Sequence, residues 1–187
     1  IRGARYGVSR RGSGSHLMAV VHARDRGWPV DDLDFVIVRN LAGAVDAFST
    51  GAADVFFWEK FMTKPLVDAG KFRRVGEFAA PWPAFVACVA DGASADQRAA
   101  FSRALALVLE EARTLRARPD AAALIAERYE LAVSDVVEWL ATTRWSDRVG
   151  VAPRDLEAAC AALDSLGVLA RSVTARECIA RDPAERQ

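Results

Sequence analysis

Apolar and polar positions change rhythm along this chain, passing from short continuous apolar runs to longer stretches with helical spacing and back. A first run near Arg5 to Ser9, centred on Tyr6-Gly7-Val8, gives way to the turn Arg11-Gly12-Ser13-Gly14-Ser15. Leu17, Val20, Val21 and Trp28 then recur at helical intervals, and Gly27 and Pro29 mark where that helix stops. Phe35-Val36-Ile37-Val38 is a continuous run of the kind expected of a strand covered on both faces. Leu41, Val45 and Phe48 predict the next helix, closed by Gly51, and Asp54-Val55-Phe56-Phe57-Trp58 predicts the third strand. A helix over Lys60 to Asp68 and a strand near Arg74 to Phe78 complete this region. Strands alternating with helices predict parallel α/β units.

Beyond Pro81-Trp82-Pro83 the pattern becomes helical. One extended segment, Ala84 to Val89, precedes a helix carried by Phe101, Leu105, Val108, Ala112 and Leu115, with Pro119 ending it and opening the next. Helices are predicted over Ser134 to Thr143 and Pro153 to Leu166, with Gly167 as the residue that closes the latter. The tail after Arg171 is charged and aperiodic, so fraying is expected there.

Composition narrows the function classes. Of 187 residues, 52% are hydrophobic and 27% charged, the mixture of a chain with a packed core. The 25 basic residues balance 25 acidic ones, leaving no net field to draw nucleic acid or an anionic membrane surface. Cys88, Cys160 and Cys178 form no CxxC pair, and His16 and His22 stand far apart round one helix, so no metal site is expected. Gly12-Ser13-Gly14 lacks the third glycine of a dinucleotide fingerprint, and no phosphate-loop Gly-Lys-Ser/Thr occurs. No cofactor is expected. Ser15 and His16 are neighbours that point about 100° apart on a helix and lie in no Gly-x-Ser-x-Gly elbow, which argues against a nucleophile and its base.

In open parallel sheets, ligands gather outside the carboxyl ends of the strands. Three loops of this chain are predicted there. The first holds Ser9, Arg10, Ser13, Gly14 and Ser15, where glycines let backbone N–H groups approach a ligand and hydroxyls exchange hydrogen bonds. The second holds Arg39 and Asn40; the third holds Trp58, Glu59 and Thr63, an aromatic plane beside a carboxylate that suits a flat, nitrogen-bearing ligand. Each has an ordinary alternative: the serines as helix N-caps, Trp58 as a core residue, Arg39 and Asn40 as a solvated turn.

Tyr6-Gly7-Val8-Ser9-Arg10 with Gly12-Ser13-Gly14-Ser15, then Trp58-Glu59-Lys60-Phe61-Met62-Thr63-Lys64, then Pro81-Trp82-Pro83, resemble the ABC-transporter solute-binding proteins related to those for thiamine pyrimidine precursors, alkanesulfonates and taurine. The resemblance is good over residues 5 to 90 and loose beyond. It implies a type II periplasmic-binding-protein fold of two α/β lobes with a ligand between them. Residues 1–83 would be the second ligand-binding lobe. Residues 84–187 would supply a return crossing strand and helices packing on a first lobe whose opening part, with the family's secretion signal, would lie before Ile1. By the same resemblance Ser9 to Ser15 and Trp58-Glu59 face the cleft, and Trp82 sits near the hinge. The expected function is binding of a small polar or heteroaromatic solute for ABC-type import, without catalysis. The implied partners are that solute and a transporter permease, with no nucleic acid and no membrane insertion, in a periplasmic or other extracytoplasmic compartment. The alternatives are a thiamine-pyrimidine-synthesis enzyme of the same fold, whose cysteine-rich motif and substrate histidine find no match here, and the ligand-sensing domain of a transcriptional regulator.

Overall fold

The computed structural model describes residues 1–165, 167 and 169–179. The chain divides into two compact units, one of Ile1–Pro81 with Ala161–Ser172, the other of Trp82–Cys160 with the described residues from Val173 onward.

The first unit is built on a parallel sheet of β1 (Arg5–Val8), β2 (Asp34–Ile37) and β3 (Val55–Phe56), in the order β2-β1-β3. Register pairs Tyr6 with Phe35 and with Val55, so these three side chains share one face. Helix α1 (Gly14–Asp25) lays Ala19 on Tyr6 and Val55 there, with Leu33, Phe35 and Phe57 packed around them. Because parallel crossovers are right-handed, the reversal from β1→β2 to β2→β3 sends α2 (Leu41–Ser49) to the opposite face. Helix α3 (Lys60–Asp68) follows β3. Gly27 and Gly51 have φ of +67°, the left-handed conformation with which helices commonly end. Arg24 donates to Ser165 Oγ, fastening α1 to the returning segment.

Two strand expectations in this unit change. Phe35-Val36-Ile37-Val38 is not covered on both faces: β2 is an edge of the described sheet, and Ile37 is 49% exposed. The central strand is β1, whose Tyr6 and Val8 are fully buried. Residues 74–78 form no strand, and neither do residues 84–89 in the second unit; both runs are mostly exposed and have no ladder partner among the described residues. A strand exists only by pairing, which local composition does not supply.

The second unit contains α4 (Ala95–Ala117), α5 (Ala121–Tyr129), α6 (Val133–Thr142), most of α7 (Pro153–Ser165) and α8 (Ala175–Cys178). A capping box opens α4: Ser94 Oγ accepts from the Gln97 N–H, and Gln97 Oε1 accepts from the Ser94 N–H. The stripe on α4 runs through half-buried Phe101, Leu105, Leu109, Ala112 and Leu115, whereas Val108 is 62% exposed. Leu109 and Val108 both satisfy a 3.6-residue period, and packing selects Leu109. The predicted last residue of α7, Leu166, lies outside the described residues, and Gly167, predicted to close the helix, adopts φ +62°. Within the tail, where no element was expected, α8 forms over Ala175–Cys178; residues 180–187 lie outside the described residues. Thr174 and Glu177 form a second capping box there. Among the described residues no helix is long and apolar enough to cross a membrane.

Candidate functional site

Parallel strands deliver every β→α loop to the same sheet edge, so α1, α2 and α3 all begin at the carboxyl end of the sheet. Their first-turn N–H groups therefore gather along adjacent strands about 4.8 Å apart. With β1 in the middle, the chain leaves β1 for β2 and later arrives at β3 on the other side, which makes the gap between β1 and β3 the topological switch point. The loops flanking that gap are the serine turn and Phe57-Trp58-Glu59.

The serine turn is held from within. Ser13 Oγ donates to the Arg10 carbonyl at 2.6 Å and accepts from the His16 N–H, capping α1. Ser15 Oγ accepts from the Ser9 N–H at 3.0 Å, lies 3.0 Å from Ser13 Oγ and 3.4 Å from Ser9 Oγ. Ser13 and Ser15 are buried, Ser9 is half-buried, and Arg10 and Gly14 are exposed. Gly12 adopts φ +74° and donates its N–H to His16 Nδ1 at 3.2 Å. That bond leaves Nδ1 unprotonated and puts the ring proton on Nε2. Burial and the Arg11 charge push the His16 pKa down, which keeps the imidazole neutral.

The second loop turns tightly. Asn40 N–H donates to the Val38 carbonyl at 2.8 Å across Arg39, whose φ is +68°, the geometry of a γ-turn. Asn40 Oδ1 then accepts from the Gly43 N–H at 2.9 Å and caps α2. In the third loop Glu59 caps α3 by accepting from the Met62 N–H at 2.7 Å. Thr63 Oγ1 donates back to the Glu59 carbonyl at 3.0 Å. Trp58 stacks on Phe56, with centroids 4.8 Å apart and planes 19° apart, and remains 40% exposed.

Capping was the alternative expected for the serines, and Ser13 caps; Asn40, expected otherwise as part of a solvated turn, and Glu59, for which no cap was expected, cap as well. Of the predicted set, Ser9, Arg10, Ser13, Gly14, Ser15, Asn40, Trp58, Glu59 and Thr63 lie at the carboxyl edge of the first unit, while half-buried Trp82 belongs to the second. Trp58 lies beyond the end of β3 and is no core residue. The sequence pattern named Arg11 only as a turn residue and His16 only as a base for Ser15 or a metal ligand; the i, i+4 spacing of Gly12 and His16 across a helix start was the available signal for their bond.

A family model described as Ca3427-like PBP matches residues 2–78, less than half of the chain. Among solved structures, the Candida albicans CA3427 gene product is described as defining a new family of proteins exhibiting the generic periplasmic binding protein structural fold. It superposes with a TM-score of 0.73 at 23% identity, covering 90% of this chain. This chain spans 58% of that one. No curated protein matches. Neither matching name is that of a thiamine-precursor, alkanesulfonate or taurine binder. The chain thus has the periplasmic-binding-protein fold, an α/β fold built on a parallel sheet, and its residues 2–78 are similar to the Ca3427-like branch.

Proposed function

We propose that the carboxyl edge of the first unit captures a small polar or heteroaromatic solute, without covalent chemistry, for an ABC-type importer outside the cytoplasm. The observation that carries this is the gathering of three capped helix starts at one sheet edge, two of them, those of α1 and α3, flanking the β1/β3 switch point, beside an indole that is 40% exposed. Backbone N–H groups supply polar recognition, and Trp58 supplies a stacking plane. The serine hydroxyls are bonded to one another and to backbone, and His16 Nδ1 is engaged by Gly12, which leaves this cluster as a scaffold and not a nucleophile with its base. The closest solute classes by sequence pattern are flat, nitrogen-bearing rings and small sulfonates; both present an acceptor or anionic group to helix N-termini.

Calorimetric titration of those two classes tests the reading. Trp58→Ala is expected to weaken the bound solute at least about 10-fold, the loss of roughly 1.4 kcal/mol of stacking. Glu59→Gln, which keeps an oxygen to cap α3, is expected to weaken ring-nitrogen ligands selectively. Circular dichroism should be unchanged in both. Unaltered affinity in both variants removes the site from consideration, and solute turnover would replace capture with catalysis.

A further inference from the structure

On the flank of the first unit, between the start of α1 and the 3-10 turn Val30–Asp32 that leads into β2, lies an open cleft of about 490 Å3. That size is within the range of small-molecule sites. It shares the serine turn with the carboxyl edge but is not lined by Trp58, Glu59 or Thr63, and its existence does not depend on solute capture there. The floor is apolar: Val20 from α1, Leu33, and Phe35 from β2. The rim is polar and mixed in sign, with Arg11 and His16 on one side and Asp31 on another. Gly167, on the segment that α1 fastens through Arg24 and Ser165, also lines the cleft.

Two rim groups are held in place. The Arg11 guanidinium sits over the Phe35 ring at 5.3 Å, and the His16 ring meets Phe35 edge-on at 4.7 Å. Gly12 N–H holds His16 Nδ1, so the imidazole offers its other nitrogen as a hydrogen-bond donor. A donor imidazole beside a guanidinium matches a carboxylate, a carboxylate across an apolar floor matches an amino or N–H group, and the floor matches a ring. We infer that this cleft binds a small planar ring bearing a carboxylate and an N–H-donating group. Arg11 and His16 Nε2–H take the carboxylate, and Asp31 accepts from the nitrogen.

The test uses the full chain, 4-aminobenzoate as probe, and benzoate and aniline as controls, followed by 1H–15N correlation spectra. Saturable shifts at the Gly12 and His16 amides are expected with 4-aminobenzoate, more weakly with benzoate, and not with aniline. Arg11→Gln, an exposed position, should weaken 4-aminobenzoate at least about 10-fold, as loss of a charge-assisted pair implies. Asp31→Ala, which removes the acceptor, should bring 4-aminobenzoate down to the affinity of benzoate. Absence of saturable shifts, or binding indifferent to Arg11→Gln, overturns the inference. Trp58→Ala should leave the probe's affinity unchanged; if it abolishes binding, the probe sits at the carboxyl edge and the cleft assignment fails, while a silent cleft leaves the edge reading untouched.

Discussion

Gly43 stands in the first turn of α2, where alanine would ordinarily be the better residue by about 1 kcal/mol. Here the sign reverses. The γ-turn at Arg39 directs the Val38 carbonyl at this position, and a Cβ on Gly43 would lie 2.0 Å from that oxygen. The obstacle is backbone and cannot rotate aside, so Gly43→Ala is expected to destabilise the chain by about 1–3 kcal/mol in urea unfolding. His22 presents the opposite case, a polar residue that contributes little by being polar. It is buried among Trp28, Phe57 and Phe78, at ring distances of 5.4, 5.5 and 5.1 Å, and its Nδ1 has no hydrogen-bond partner among the described residues. Burial pushes its pKa below the usual 6.5, with nearby Arg26 adding to the effect and Asp25 opposing it. The unfolded chain therefore takes up the proton first as pH falls through 6.5, and stability declines from there until the folded form also protonates. His22→Phe should flatten that part of a stability-versus-pH curve while costing under about 1.5 kcal/mol near neutrality, since an aromatic replaces an imidazole that has no buried bond to lose. An unchanged slope would mean that another group governs it.

At the scale of elements, the sheet is pinned at its amino edge as well as through its ladder. Arg5, which begins β1, donates from Nε and Nη2 to the two Asp54 oxygens at 2.9 and 2.7 Å, and the Arg5 N–H reaches the same carboxylate at 2.9 Å. These bonds hold the Asp54 pKa down from 3.8 to about 2. The stabilisation is complete above pH 3.8 and is lost as the pH falls towards 2. Asp54→Asn should remove this acid-side slope and lower the denaturation midpoint at neutral pH, with the difference shrinking at high salt because both partners are partly exposed. The helices of the second unit depend less on such pairs and more on their ends. Ser94 with Gln97 and Thr174 with Glu177 carry the Ser/Thr-x-x-Gln/Glu signature of a capping box, and neither box was among the sequence expectations, which rested on hydrophobic periodicity.

Across the whole molecule, the segment from residue 79 to residue 93 carries no helix or strand and is largely exposed, with Phe85 94% accessible. Limited chymotrypsin digestion is expected to cut first after Phe85, ahead of the aromatic residues of β1–β3; first cleavage within the sheet would contradict the division into two units.

Local pattern determined a good deal. Alternation of apolar runs with helical spacing placed β1, α1, α2, α3 and α7 nearly where they stand, because side-chain period and terminal glycines are properties of a few consecutive residues. The parallel α/β class and the gathering of three loops at one edge followed from that alternation. Only tertiary structure decided the rest. Residues 74–78 and 84–89 have strand-like composition and no ladder partner among the described residues, and Leu109 rather than Val108 faces the packing surface of α4. Whether Ser13, Asn40 and Glu59 serve helix ends or a ligand, and whether His16 carries its proton on Nε2, depended on atoms brought within 3.4 Å by the fold. Sequence encodes the donors and acceptors; which of them meet is a matter of three-dimensional distance, and hydrogen bonding falls away within an ångström of its optimum.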